Sequence, residues 1–123
     1  MQEHSTLNKL EHYILSGTVD GIEPFYVIYR LTMDEIEEAT LDSIIAALIK
    51  LIDMEFVNCF IDFHGRKPCE NLTEEQLKVH CASRADKELR EYPFDINWEY
   101  EFHVTKKGRA EERKDIYNEY YPA

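Results

Sequence analysis

The chain has no long apolar run. Its longest, Ile44 to Ile49, is cut by Lys50 and falls far short of the ~18 residues that a membrane-spanning helix needs. Glycine and proline are scarce, with four of each in 123 residues. The glycines stand singly, which excludes a glycine-rich phosphate loop. Cys59, Cys69 and Cys81 are an odd set without disulfide-framework spacing, so reduced thiols are the expected state. The start, Met1-Gln2-Glu3-His4, offers neither the basic region nor the apolar core of a signal peptide, and cytoplasmic localisation is the expectation. Positive charge is the most telling shortage: 14 Lys and Arg stand against 25 Asp and Glu, a net charge of -11. Such a chain repels phosphate backbones unless its cations gather on one face.

What remains is an ordinary globular composition, 44% hydrophobic and 32% charged, with length for one domain and a sizeable core. Leu7, Leu10, Tyr13 and Ile14 recur at helical spacing and predict a first helix from about Thr6 to Ser16, closed by Gly17. Asp20 with Glu23 resembles a capping box ahead of a helix over Ile22–Leu31. Asp20-Gly21 also reads as a hairpin turn between Tyr13–Val19 and Phe25–Tyr29; Pro24 favours the helix. Thr32 and Glu35 predict a capped short helix through Ala39. Thr40 then caps a longer one ending near Met54, with Ile44, Ala47, Leu48 and Leu51 on one face. Phe56–Phe63 reads as a strand broken by His64–Pro68. Thr73 with Gln76 opens a helix running towards Leu89, and Trp98, Tyr100 and Phe102 alternate with polar residues as a half-buried strand. Thr105 caps a last polar helix, against which the Tyr117, Tyr120 and Tyr121 end can dock.

The order short helix, longer helix, strand, turn region, strand carries a resemblance. Leu31 to Ser43 followed by Ala47 to Val57 resembles the helix-turn-helix of winged-helix domains. Phe102 to Ala110 within Trp98–Glu111 is similar to their closing wing strand and helix start. The resemblance implies a mainly α chain with a small antiparallel sheet (α+β), a single domain over residues 1–123. Its wing would carry a helical insertion at about residues 65–97, where the family has a short loop. Glu55 also departs from the pattern, because the turn after the recognition helix usually carries Gly. Fold resemblance of this kind speaks to architecture and not to function.

The resemblance further implies that Thr40–Lys50 is the recognition helix, with Thr40, Leu41, Ser43, Ile45, Ala46 and Ile49 where DNA is usually met. Base edges and phosphates are read by hydrogen bonds and positive charge. This helix instead offers Leu41, Ile45, Ala46, Ile49, Asp42 and Asp53, with Lys50 its one cation, and Asp34, Glu35, Glu37 and Glu38 precede it. Its apolar arc spans about 200°, about twice what suffices to face a core. The flank built from Leu41, Ile45, Ile49 and Ile52 therefore needs a second cover, either the Thr73–Leu89 insert or another protein chain. The expected function is a non-catalytic protein-interaction or regulatory module, self-association included. The alternative is a DNA-binding transcriptional regulator touching nucleic acid through Thr40, Ser43, Lys50, Arg66, Lys67, Lys106, Lys107 and Arg109.

Other chemistry finds little support. Cys59, His64, Cys69, His80 and Cys81 fit no zinc pattern, lacking any Cys-x-x-Cys pair. Adjacent His80 and Cys81 should point to different sides of a helix, and scattered buried cysteines with solvated histidines are the expectation. Nothing marks an activated thiol. The carboxylates sit at helix starts and solvated faces, where dipoles and solubility explain them. No enzyme activity, metal or cofactor is expected.

Overall fold

The computed structural model describes residues 6–62, 65–82 and 99–122. The chain runs α1 (Lys9–Gly17), β1 (Glu23–Pro24), α2 (Phe25–Glu35), α3 (Leu41–Asp53), β2 (Val57–Asp62), β3 (Arg66–Pro68), α4 (Glu74–Ala82), β4 (Glu99–Val104), α5 (Lys106–Glu112) and a 3-10 turn (Asp115–Tyr120). The result is an α+β fold in which helices pack on a four-stranded antiparallel sheet of order β1-β4-β2-β3. β2 and β4, the two segments expected as strands, pair from Val57↔Val104 to Asp62↔Glu99.

Side-chain caps mark the starts of α1, α3, α4 and α5, whereas α2 begins after Pro24 without one. Asn8 and Glu11 form a reciprocal capping box at α1, and Thr40 and Ser43 do the same at α3, each satisfying backbone N–H groups that lack helical partners. Thr73 and Gln76 cap α4 at 3.0 and 3.1 Å. The Thr105 hydroxyl accepts from the Gly108 N–H at 2.9 Å at the head of α5.

Three expectations need correction. Thr32 does not start a helix. It is buried inside α2, which runs unbroken from Phe25 to Glu35, because Phe25, Ile28, Tyr29 and Thr32 share one buried face and packing outweighs the local cap signal. Nor does Asp20 open a helix: Glu23-Pro24 pairs with β4 as an edge strand, a place where proline is tolerated because one side needs no ladder hydrogen bond. Finally, Arg66–Pro68 does not end the sheet but extends it, paired with β2. Gly65, at φ +131°, supplies backbone freedom beside that hairpin turn. The predicted extension of α4 to Leu89, and Phe63, His64 and Trp98, lie outside the described residues.

One continuous core joins these pieces: Ile14 and Leu15 of α1, Phe25 and Ile28 of α2, Ile44, Ile45, Leu48 and Leu51 of α3, Phe102 of β4 and Leu77 of α4. At the C-terminus of α3 the Phe56 N–H reaches the Leu51 carbonyl and the Glu55 N–H reaches that of Ile52, both at 2.9 Å, a Schellman closure. It sets Glu55 at φ 66°, the left-handed region where a side chain costs about 1–2 kcal/mol. Glu55→Gly should therefore stabilise the fold by about 0.5–1 kcal/mol after the larger entropy of unfolded glycine is deducted. A urea titration checks it, and an unchanged or lowered midpoint would instead give the weight to the Glu55 carboxylate, 3.7 Å from Lys107.

Candidate interaction surface

Successive residues of α3 advance by about 100° around the helix, so burial divides its circumference cleanly. Ile44, Ile45, Ala47, Leu48 and Leu51 are buried. Leu41, Ile49 and Ile52 are half-buried and pack against the core. Only Asp42, Ala46 and Asp53 are exposed, a narrow strip bearing two carboxylates. The exposed Asp34, Glu35, Glu37 and Glu38 continue that anionic surface along α2 and the turn ahead of α3.

The wide apolar arc has its second cover within the chain. α1 packs on α3 on one side and α4 on another, and Leu77 and Cys81 of α4 belong to the same buried cluster as the α3 core. Ile45, placed on the outer face by the winged-helix resemblance, is 0% exposed. It is a core residue here and not a surface contact. Leu41, Ile49 and Ile52 keep partial exposure and remain at the edge of the strip.

The candidate nucleic-acid contacts are mostly engaged. Lys50 Nζ lies 3.1 and 3.2 Å from the two Glu11 carboxylate oxygens. Arg66 Nε donates to Glu101 at 2.6 Å. Lys107 stands 3.7 Å from Glu55 and 5.6 Å from the centre of the Phe56 ring. Thr40 and Ser43 direct their hydroxyls into their own helix cap. Among the described residues, Lys67 on β3 and Lys106 and Arg109 on α5 stand without an ion-pair partner. Three cations on two elements are a small electrostatic footprint for a polyanion.

Two groupings were not foreseen from the residues alone. His80 is buried, not solvated, with Nε2 2.7 Å from Glu99 Oε1 and its ring edge-on to Tyr100. Cys81 beside it is buried as well, so the two share the inner side of α4. Cys59 and Cys69, scattered in sequence, come together across the β2–β3 hairpin, where the Cys69 N–H donates to the Cys59 carbonyl at 2.9 Å. Burial pushes the Cys59 thiol up, and Cys69 beside it adds to the shift. Among the described residues no three His, Cys, Asp or Glu side chains are grouped so as to hold a metal ion. No described helix is long and apolar enough to cross a membrane.

Between α1 and α2 lies a groove lined by Tyr13, Val27 and Leu31 together with Asp20 and Glu23. Partial burial and Asp20 raise the Glu23 carboxyl, and burial with Glu35 and Asp34 raises the Tyr13 hydroxyl. Negative charge thus dominates this side as well. Comparison of the chain with family models, curated proteins and solved structures finds no match.

Proposed function

We propose that the chain is a non-catalytic winged-helix domain, with β3 and α4 inserted into its wing, that works through protein contacts, self-association included, and does not read DNA. The order α1-β1-α2-α3-β2-β4 supports the architecture, because β1 adds to the edge of β4 and the last two strands pair as a wing. The observation that carries the functional reading is electrostatic. The strip of α3 open to a partner bears Asp42 and Asp53, while Lys50, Arg66 and Lys107 face carboxylates of their own chain. A duplex would meet repulsion where a recognition helix normally supplies donors. The DNA-binding regulator remains the alternative because the same element order serves it, with Lys67, Lys106 and Arg109 as its contacts.

Two measurements separate these readings. Binding to random duplex should be undetectable at physiological salt, and any binding at low salt should fall steeply as salt is added. Nanomolar, sequence-selective affinity at physiological salt would establish the regulator instead. Light scattering on Ile49→Asp tests the helix edge. A wild-type dimer that becomes a stable monomer places the interface there; a wild-type monomer that loses thermal stability assigns Ile49 to the fold and moves the protein contact to another face.

A further inference from the structure

β2 and β3 pair as Phe60↔Pro68, Ile61↔Lys67 and Asp62↔Arg66. One step further along the same register sets Cys59 opposite Cys69, and the hydrogen bond from the Cys69 N–H to the Cys59 carbonyl, 2.9 Å, marks the step as made. The alternation is consistent. Pro68, which has no N–H, occupies a position that needs no donor, and the residue after it supplies the bond. Directly opposed residues of an antiparallel pair project to one face of the sheet, and in a hydrogen-bonded pair their Cα atoms stand about 5.5 Å apart. A disulfide spans Cα separations of about 4.4–6.8 Å, which includes this one, but needs Cβ atoms about 3.5–4.5 Å apart; those of a hydrogen-bonded pair stand near 5.5 Å, so closing the bridge draws the edge strand β3 about 1 Å towards β2. Cys59 and Cys69 also line one common pocket.

We infer that Cys59 and Cys69 form a dithiol site that a hydroperoxide oxidises to a disulfide across the β2–β3 hairpin. The two thiols differ in access: Cys59 is buried, while Cys69 is half-buried at the hairpin edge. The first step therefore falls on Cys69. Its thiolate attacks a peroxide oxygen, the O–O bond breaks, and sulfenic acid and hydroxide (an alcohol from an organic peroxide) result. The sulfur of Cys59 then attacks the sulfenic sulfur; the S–O bond breaks, the S–S bond forms, and the thiol proton leaves with the hydroxyl as water. Two thiols and one hydrogen peroxide thus give one disulfide and two waters. Cys81 lies on α4, off this hairpin, and the proposal leaves it a thiol.

The bridge would fasten β3 to β2 where the chain leaves for α4, the helix that packs on α3. It therefore acts on the wing insertion whether or not the domain is a protein-interaction module. The test treats reduced full-length protein with hydrogen peroxide, quenches the peroxide, unfolds the protein in denaturant to expose the buried thiols, blocks those that remain with iodoacetamide, and reads intact mass and a peptide map. The expected result is a single alkylated cysteine, Cys81, with Cys59 and Cys69 in one disulfide-linked peptide pair that dithiothreitol separates. Cys69→Ser, checked for native circular dichroism, should keep both remaining thiols alkylatable. Three alkylated cysteines after treatment, a bridge to Cys81, an intermolecular disulfide, or Cys69 ending as an unbridged sulfinic acid would each overturn the inference.

Discussion

Gly108→Ala should lower the midpoint of thermal unfolding by on the order of 10 °C. Helix propensity alone predicts the opposite sign, since alanine inside a helix is favoured over glycine by about 1 kcal/mol. The reversal comes from a backbone contact. A Cβ on Gly108 would sit 2.0 Å from the Phe56 carbonyl oxygen and 2.8 Å from its carbon, and neither atom belongs to a side chain that could swing away. α5 would have to lift from the start of β2. That movement threatens the Thr105 N–H bond to the Phe56 carbonyl at 2.9 Å and the Thr105 hydroxyl bond to the Glu55 carbonyl at 2.6 Å. Overpacking costs about 1–3 kcal/mol and each lost hydrogen bond about 1 kcal/mol, so a total near 3 kcal/mol is expected. Gly17→Ala is the matched control: nothing lies within 4 Å of the added carbon, and the change should stabilise by about 0.4–1 kcal/mol. Thermal melts of both variants check the pair. A neutral or stabilised Gly108→Ala would mean that α5 does not press on Phe56.

The contrast between these glycines illustrates what local pattern can and cannot carry. Thr40 with Ser43, Thr73 with Gln76 and Thr105 with Gly108 are caps that act over three residues, and they are legible because sequence neighbours satisfy one another. The β4 strand is legible from alternation, which reports a face without naming its partner. Thr32 misleads because a cap signal is local whereas the burial that overrides it comes from Phe25 and Ile28 packing into the core. Arg66-Lys67-Pro68 misleads for another reason. Charge and proline are what a short edge strand carries to discourage further pairing, and the same residues read as a break when the neighbouring strand is unseen.

The candidate surface was legible in part. The width of the apolar arc on α3 and the acidity around it follow from residue order, and they already weigh against a duplex. Which chain covers the arc does not follow, because that depends on where α4 lands. With α1, α2 and α4 packed on α3, Ile45 is 0% exposed and the strip left open is narrow and negative. Ion pairing was equally hidden. Arg66 meets Glu101 from across the sheet and Lys50 meets Glu11 from another helix, so a count of cations overstated the positive charge that a partner would feel.

Tyr117→Phe should destabilise the fold by about 3 kcal/mol, although it removes one oxygen and keeps the ring. The Tyr117 hydroxyl accepts from the Leu7 N–H at 3.1 Å and donates to the Glu111 carboxylate. Glu111 is 3% exposed, with Lys114 2.8 Å from its other oxygen. Phenylalanine would leave a buried N–H without its acceptor, at about 1–3 kcal/mol, and take a bond from a buried charge, at about 1.5–3 kcal/mol. The ring itself stacks on His12 at 4.4 Å, and that contact survives. His12 is held by the same tail: the Glu112 carbonyl can only accept, so Nε2 donates to it, and Nδ1 meets the Tyr121 hydroxyl at 3.0 Å. Tyr120→Phe, which loses one bond from the hydroxyl to the Leu7 carbonyl, should cost only about 1 kcal/mol. Alkali gives an independent reading. Burial first, and the bond to Glu111 second, push the Tyr117 hydroxyl from 10.0 up to about 12. Its folded pKa therefore exceeds the unfolded one, and the stability it contributes is complete below pH 10 and lost as pH rises through about 12. Wild-type stability should fall across that interval. In Tyr117→Phe the fall should be shallower but not absent, because burial pushes Tyr121 up to about 12 as well. Equal slopes in the two proteins, or a variant as stable as wild type at neutral pH, would show that the C-terminal turn does not hold Leu7 and the start of α1 to the domain.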